Sequence, residues 1–585
     1  MGGIAGIFHV TTRKPVDPAR VAAMARGMAH RGLDPAAVWT GPGVGLCGSG
    51  RASLIEPALH VAFDGRLDNR DALRADFDLP GGDDAALVLH AWRRWGAECL
   101  SRLEGTFAFA LHDPARGSLF LARDRLGVKP LHYTLLSDGA VLFASELRGL
   151  LVHPLLRPAP DLTAIEDYLA LGHVPDDSCL VAGIEKLPAG HHLLLRLGRS
   201  VPLPTRWWAL NVTDRARGSA ATFSEQLTER LRAAVHRAMA DSAPAGALLD
   251  DSVEAAAIVA LMAEHSPGAI ETCAVGFDEA ASTPPAAARF ATHHRYRRLV
   301  VGEDGFPDEP FADPAAWMLA PLCRFGRERT TSMLTGTGGE EALSTHRRHA
   351  AHRRDDRLRR LLPEKARRWA GLVHPPLGHT ADEAYAEAML WTDAAGRAAF
   401  YNDKARRALA GYRAEERYLA ALRASSSPIA SDRAYFADCT LHLPGAVLAP
   451  LDRAGMAAGL DVRAPLLDHR LLPFLATVPP ALRGRRLLRR ALRRHLPQEI
   501  GAEKVADTAP SVSQWLRGPL AAELGRLPRG SALAQTDWFE AETLARLVAE
   551  HGEGVADHGR FLWQMLMLDR ALARLFGLGP TRQAG

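Results

Sequence analysis

Apolar residues in the first third of the chain come in short runs cut by glycine, proline and aspartate. Val61-Ala62-Phe63 leads into Asp64-Gly65, and Phe107-Ala108-Phe109-Ala110-Leu111 and Leu119-Phe120-Leu121-Ala122 repeat the form. Such runs between turn formers predict strands of an antiparallel sheet system. Residues 85–95 instead bring apolar positions round at helical spacing and predict a helix. Residues 196–221 have no period and carry Pro202, Pro204, Asn211 and Gly218, the composition of a linker. Beyond it, 222–241 sets Phe223, Leu227, Leu231 and Val235 on one helical face. Strands are predicted at 245–249, 272–277 and 332–334, with a helix at 254–264 between the first two. Strands alternating with helices predict a parallel α/β sheet. From about Leu358 the chain is rich in Arg, Ala and Leu and reads as mostly helical. The stretch 483–494 keeps Leu487, Leu488, Ala491 and Leu492 at helical spacing among arginines. It reads as a solvated helix face rather than a nucleic-acid surface.

At 585 residues the chain exceeds one hydrophobic core, so two or more domains are expected. With 47% hydrophobic and 24% charged residues it has the composition of a soluble globular protein. A net charge of +4 gives no reason to expect nucleic acid or an anionic membrane as partner. The sequence holds no run of about 18 uncharged apolar residues and no secretion signal at its start, and a cytoplasmic location is expected. Its six cysteines are scattered without a C-x-x-C pair, as befits reduced thiols. Basic charge is nearly all arginine; the six lysines are Lys14, Lys129, Lys186, Lys365, Lys404 and Lys504.

Ordered short motifs change this picture. The chain opens Gly2-Gly3-Ile4-Ala5-Gly6-Ile7 and continues with His30-Arg31-Gly32-Leu33-Asp34 and Asp64-Gly65-Arg66-Leu67-Asp68-Asn69. Then come Leu103-Glu104-Gly105-Thr106-Phe107, Ala122-Arg123-Asp124-Arg125-Leu126-Gly127-Val128-Lys129-Pro130 and Phe143-Ala144-Ser145-Glu146-Leu147. On these motifs the chain resembles the glutamine-hydrolysing asparagine synthetase family over nearly its whole length. The resemblance implies a two-domain α+β and α/β protein. An Ntn-type α-β-β-α sandwich, a class II glutamine amidotransferase-like domain, would span about 1–200. A linker at 201–221 would join it to a parallel α/β nucleotide-hydrolase-like domain at 222–585 with a helical C-terminal part. In that family a cysteine at the position of Gly2 attacks the glutamine amide, with its own α-amine as general base. Gly2 offers the amine and no sulfur. The resemblance further assigns Arg51 to the glutamine carboxylate, Asp64 and Gly65 to the oxyanion hole in a motif that ends at Asn69, and Asp83 to the glutamine amine. Asp64 stands where the family has asparagine, and a carboxylate repels the oxyanion that an amide N–H would stabilise. Loss of glutamine hydrolysis is expected.

The second domain resembles an ATP-pyrophosphatase module whose S-G-G-x-D-S loop cradles pyrophosphate at a helix N-terminus. Here the aligned residues are Asp250, Asp251, Ser252, Val253, Glu254 and Ala255. Two carboxylates replace serine and glycine where a polyanion should dock, and unit charges ~4 Å apart repel by ~1 to ~4 kcal/mol. A second motif reads Thr335-Gly336-Thr337-Gly338-Gly339-Glu340-Glu341, with Thr337 where some members carry a catalytic glutamate. Glu254 and Glu340 are the metal-ligand candidates, and ATP and Mg²⁺ are the cofactors the resemblance implies. The family's acidic pair after Phe277-Asp278 is replaced around Thr283-Pro284. Asp452-Arg453-Ala454-Gly455-Met456-Ala457 and Leu460-Asp461-Val462-Arg463 persist, with Arg453 and Arg463 expected to shape the phosphate pocket. Lys504 stands at the spacing of the family's phosphate-contacting lysine and is the candidate catalytic residue. Two readings remain open. One is a repurposed amide- or macrolactam-forming enzyme acting on a small-molecule or peptide carboxylate or acyl substrate. The other is a non-catalytic partner of an active paralogue, a peptide or a carrier protein.

Overall fold

A computed structural model describes residues 2–32, 36–49, 53–56, 59–79, 81–240, 245–266, 268–276, 285–290, 292–299, 308–367, 374, 378–496, 500 and 512–578. The apolar runs of the first third become two six-stranded antiparallel sheets. One runs Glu185–Lys186, His132–Leu135, Ala140–Ala144, Ile4–His9, Val44–Ser49, Ala36–Gly41. The other runs Thr205–Arg206, His191–Arg196, Ser118–Arg123, Gly105–Asp113, Leu59–Leu67, Ser53–Glu56. Their inner faces bury Ile4, Phe8, Ala62, Ala108, Leu121 and Phe143 in one apolar layer. The helix Pro18–Gly27 covers the first sheet and Asp84–Trp95 the second, which completes an α-β-β-α sandwich. Asp83 starts the latter helix by accepting from the Ala86 N–H at 2.9 Å, an N-cap.

Within the linker stretch 196–221, Thr205–Arg206 pairs antiparallel with His191–His192 as an edge strand of the second sheet. The next helix, Ala220–Met239, is capped by Ser219 and buries Phe223, Leu227, Leu231 and Val235, the predicted apolar face. A five-stranded parallel sheet follows, in the order His293–Arg298, Glu271–Gly276, Gly246–Leu248, Ser332–Leu334, Asp461–Arg463. Beyond it the chain is helical, ending in Gly559–Phe576.

The two halves share apolar cores. Leu126 of the sandwich packs with the helices Ala220–Met239 and Val253–His265. The helix Leu162–Leu171 packs against the final helix, where Gln564 donates to the Tyr168 and Leu169 carbonyls and Tyr168 Oη returns a bond to the Gln564 carbonyl at 2.8 Å. The stretch 483–494 is not simply a solvated face. Arg483 is buried, stacks 3.7 Å from the centre of the Tyr435 ring and pairs with Asp432 at 3.2 Å.

Candidate functional site

The first strand, Ile4–His9, begins just after Gly2. The Ile4 N–H donates to Ser145 Oγ at 3.0 Å, which fixes the strand's entry. Gly2 is buried and its carbonyl accepts from Arg31 Nε at 3.4 Å. A Cβ on Gly3 would come within 3.2 Å of the same Arg31 side chain. The guanidinium goes on to Asp64 at 3.1 Å, Glu146 at 2.7 Å and Asp452 at 2.8 Å. Lys129 Nζ lies 2.7 Å from Asp452 and 4.0 Å from Asp64. Arg31 and Asp64 are each only 1% exposed. Burial opposes the charge on Arg31, yet Asp452, Asp64 and Glu146 hold it firmly protonated. Burial likewise pushes the Asp452 carboxyl up, and Arg31 and Lys129 override it and hold it below the usual range. The network thus ties the old nucleophile position to the second domain, since Asp452 lies in the helix Ala449–Ala458.

The neighbouring Arg453 pairs with carboxylates. It crosses the same interface to Glu309 at 2.9 Å and approaches Glu146 at 3.8 Å, while Lys186 reaches Glu309 at 2.9 Å. Arg463 bonds Asp461 at 2.7 Å and the Ala238 carbonyl. Of the other residues expected around glutamine, Gly65 keeps a backbone requirement. Its φ is +140°, and a Cβ there would lie 2.1 Å from the Thr106 carbonyl oxygen, a position only glycine fills. Asn69 ties its loop to the backbone, accepting from Glu104 N–H at 3.1 Å and donating to the Arg102 carbonyl at 2.8 Å. Asp83 is spent on its helix cap. Arg51 lies outside the described residues. Cys47 pairs across the sheet from Ala5, and burial pushes its thiol up to about 12, so it supplies no thiolate near neutrality.

The phosphate loop leaves the parallel sheet after Gly246–Leu248 and enters the helix Val253–His265. Two of its N–H groups already have partners within the loop. Ser252 Oγ accepts from the Ala255 N–H at 3.0 Å, and Asp250 Oδ1 accepts from the Ser252 N–H at 3.0 Å. Glu254 is 2% exposed; its Oε1 accepts from Thr345 Oγ1 at 3.1 Å and its Oε2 is buried without a hydrogen bond. The second motif packs on this loop through its glycines. A Cβ on Gly336 would lie 2.5 Å from the Ala255 nitrogen, and one on Gly339 2.8 Å from Glu254 Cγ. Gly338 takes φ +80° and opens the turn Gly339–Ala342. Burial, with Glu254 next, pushes the Glu340 carboxyl up, and Arg485 at 3.6 Å only partly offsets this. Among the described residues no cluster of three histidine, cysteine or acidic side chains forms a metal site. Thr337 is bound to its own loop, its hydroxyl 2.8 Å from that of Thr335. Lys504, Asp278, Thr283 and Pro284 lie outside the described residues.

Two family models match the sequence: a glutamine amidotransferase domain over residues 1–208 and asparagine synthase over residues 226–573. The chain belongs to the asparagine synthase family. It is similar to a putative asparagine synthetase (glutamine-hydrolysing) of Mycobacterium bovis, with 28% identity covering 92% of this chain and 91% of that protein. An asparagine synthetase (glutamine-hydrolysing) of Bacillus subtilis is 22% identical, covering 97% and 96%. An amidase of Gibberella zeae is 27% identical over 40% of this chain and 37% of its own length. The two-domain asparagine synthase fold is therefore present with Gly2 and Asp64 at one centre and Asp250–Glu254 at the other. Sequence reasoning singled out those positions. It read Arg31, Lys129, Glu146 and Asp452 only as signature residues and missed that they form one buried network. The available signal was charge inside motifs that are otherwise apolar, because a buried charge needs a partner.

Proposed function

We propose that this member of the asparagine synthase family carries out neither glutamine hydrolysis nor adenylation and acts as a binding partner. The observation that carries this reading is the occupation of both centres by their own side chains. Beside Gly2, whose carbonyl accepts from Arg31 Nε, that arginine is paired with Asp64. At the loop, Ser252 and Asp250 take N–H groups that a phosphate would need, with Glu254 and Glu340 adding negative charge. Two catalytic centres closed on an intact fold fit a scaffold retained for recognition.

Ammonia release from glutamine and pyrophosphate release from ATP–Mg²⁺ with candidate carboxylates test it. Neither should exceed background; turnover of ~1 s⁻¹ or faster in either assay would overturn the reading. The amide-forming alternative has one specific support. Burial pushes the Glu341 carboxyl up to about 7, partly opposed by Arg348, which leaves a group in the second motif able to exchange a proton near neutrality. On that reading a pre-activated acyl group would be the substrate, and Lys504→Ala would abolish product while leaving stability within ~1 kcal/mol. A silent Lys504→Ala leaves the partner reading.

A further inference from the structure

Where the sandwich meets the second domain, the described residues line a cavity of about 100 Å³. Val128 of the sandwich, Trp208 of the linker, and Val462 and Ala464 at the end of the strand Asp461–Arg463 give it an apolar wall, and all four are only partly buried. Five cations and five aspartates also line it. Four of the cations have a carboxylate of their own: Arg66 meets Asp68 at 2.5 Å, Arg237 meets Asp468 at 2.8 Å, Arg463 meets Asp461 at 2.7 Å and Lys129 meets Asp452 at 2.7 Å. The fifth aspartate, Asp124, is engaged by backbone. It accepts from the N–H groups of Phe107 at 3.2 Å, Leu126 and Val128 at 3.1 Å and Lys129 at 3.0 Å. Arg125 is left over. One Nη donates to the Leu103 carbonyl at 2.8 Å and the guanidinium lies 5.0 Å from the centre of the Trp207 ring, but it forms no ion pair among the described residues. Burial disfavours its charge, and Glu104, Asp124 and Asp468 around it do not make this good. Glu104 is itself held by His469 at 3.0 Å and Arg470 at 2.5 Å.

Apolar walls at a domain junction with one convergent polar group are the usual make-up of a small-molecule site, and a guanidinium without a counter-charge selects an anion. We propose that this cavity binds a short-chain monocarboxylate, with its oxygens on Arg125 and its hydrocarbon tail against Val128, Trp208, Val462 and Ala464. Size sets the length of the tail. A cavity of about 150 Å³ holds benzene, so one of about 100 Å³ takes about three or four carbons. Charge sets the head group. One unpaired cation answers one negative charge, and a phosphate or dicarboxylate would bring its second charge among Asp68, Asp452, Asp461 and Asp468. The inference goes beyond the partner reading and does not depend on it, because neither Gly2 nor the loop at Asp250 lines the cavity.

The test uses the full chain, with sodium butanoate as the probe, read by titration calorimetry and by melting temperature. Butylammonium chloride, 1-butanol and sodium chloride, at matched ionic strength, are the comparisons. Butanoate should bind saturably at one site per chain with a Kd of about 1 mM or tighter and should raise the melting temperature. Butanol and butylammonium carry the same tail without the anion and should bind about tenfold more weakly or worse. Arg125→Gln should weaken butanoate binding about tenfold, as loss of one charge-assisted hydrogen bond does. Arg125 also holds the Leu103 carbonyl, so a second variant leaves it in place. Ala464→Leu puts a larger side chain on the cavity wall and should abolish butanoate binding in a chain that still melts cooperatively. The proposal is overturned if butanoate gives no saturable heat up to about 20 mM, or if either variant binds it like the parent. It is also overturned if butylammonium binds as tightly, or if sodium chloride alone raises the melting temperature as much. None of these readouts involves turnover, so failure here is separate from failure of the inactivity reading.

Discussion

Asp64 changes what its position needs. An asparagine there is neutral, whereas a carboxylate buried to 1% exposure needs a cation, which Arg31 supplies at 3.1 Å with Lys129 at 4.0 Å. Across the network Arg31, Lys129, Arg453 and Lys186 are matched by Asp64, Glu146, Asp452 and Glu309, so removing one carboxylate leaves a positive charge uncompensated. Breaking a buried pair costs about 3–5 kcal/mol. Because Arg31 keeps Glu146 and Asp452, Asp64→Asn should sit at the low end, about 3 kcal/mol, read as a lower urea midpoint at unchanged slope. Gly2→Cys alone should release no ammonia from glutamine, because Asp64 still repels the oxyanion; activity comparable to an intact glutaminase would refute that. At this scale the sequence was informative wherever a residue type fails a chemical role, as Gly2 and Asp64 do. It was silent on pairing, because the Arg31–Asp452 bond joins residues 421 positions apart and charge alone does not name a distant partner.

Elements were legible where the period is strong and a cap is visible. The helix expected at 85–95 runs Asp84–Trp95 with Asp83 as its cap, and the strand expected at 332–334 is Ser332–Leu334. The helix expected at 222–241 begins two residues earlier because Ser219 caps it. Thr205–Arg206 was not legible, since a two-residue edge strand has no period of its own and exists only through its ladder to His191–His192. Arg483 was misjudged because helical spacing of leucines says nothing about a guanidinium just ahead of the first turn, where it finds Asp432 and Tyr435. The phosphate loop yields two predictions at this scale. Ser252 caps the helix Val253–His265, so Ser252→Ala should cost about 1 kcal/mol of stability, checked by chemical denaturation. Converting Asp250 to Ser together with Asp251→Gly and Ser252→Gly frees two N–H groups and removes two charges. Calorimetry should then detect ATP–Mg²⁺ binding where the parent shows none. No gain would mean that Glu254 and Glu340 alone keep the loop closed to phosphate.

Besides the shared apolar cores, charges cross between the two halves, and these make the cohesion of the molecule depend on pH. Glu104 of the sandwich contacts His469 at 3.0 Å and Arg470 at 2.5 Å. Burial pushes its carboxyl up, but these partners pull it down to about 2. Glu309 is likewise pushed up by burial and brought down to about 2 by Lys186 and Arg453. His132, fully buried beside them, is driven by burial down to about 3 and is neutral at pH 7. The sign is the same for all three. Each binds its proton more weakly folded than unfolded, so the unfolded chain takes up more protons and stability falls with acidity. The contribution of His132 is complete above its ordinary 6.5 and declines towards about 3, while those of Glu104 and Glu309 are complete above 4.5 and are lost towards about 2. Urea midpoints measured from pH 7 downward should therefore drop in a first stage below 6.5, where His112, His173, His192, His346 and His352, lowered by burial to about 4, act with His132. A second stage follows below 4.5, where Glu104 and Glu309 join them. Glu309→Gln should lower the midpoint at pH 7, because Lys186 and Arg453 lose their carboxylate, and should flatten the second stage, because one titrating group is gone. A second stage as steep in that variant as in the parent would place the acid sensitivity elsewhere than at the junction of the two domains.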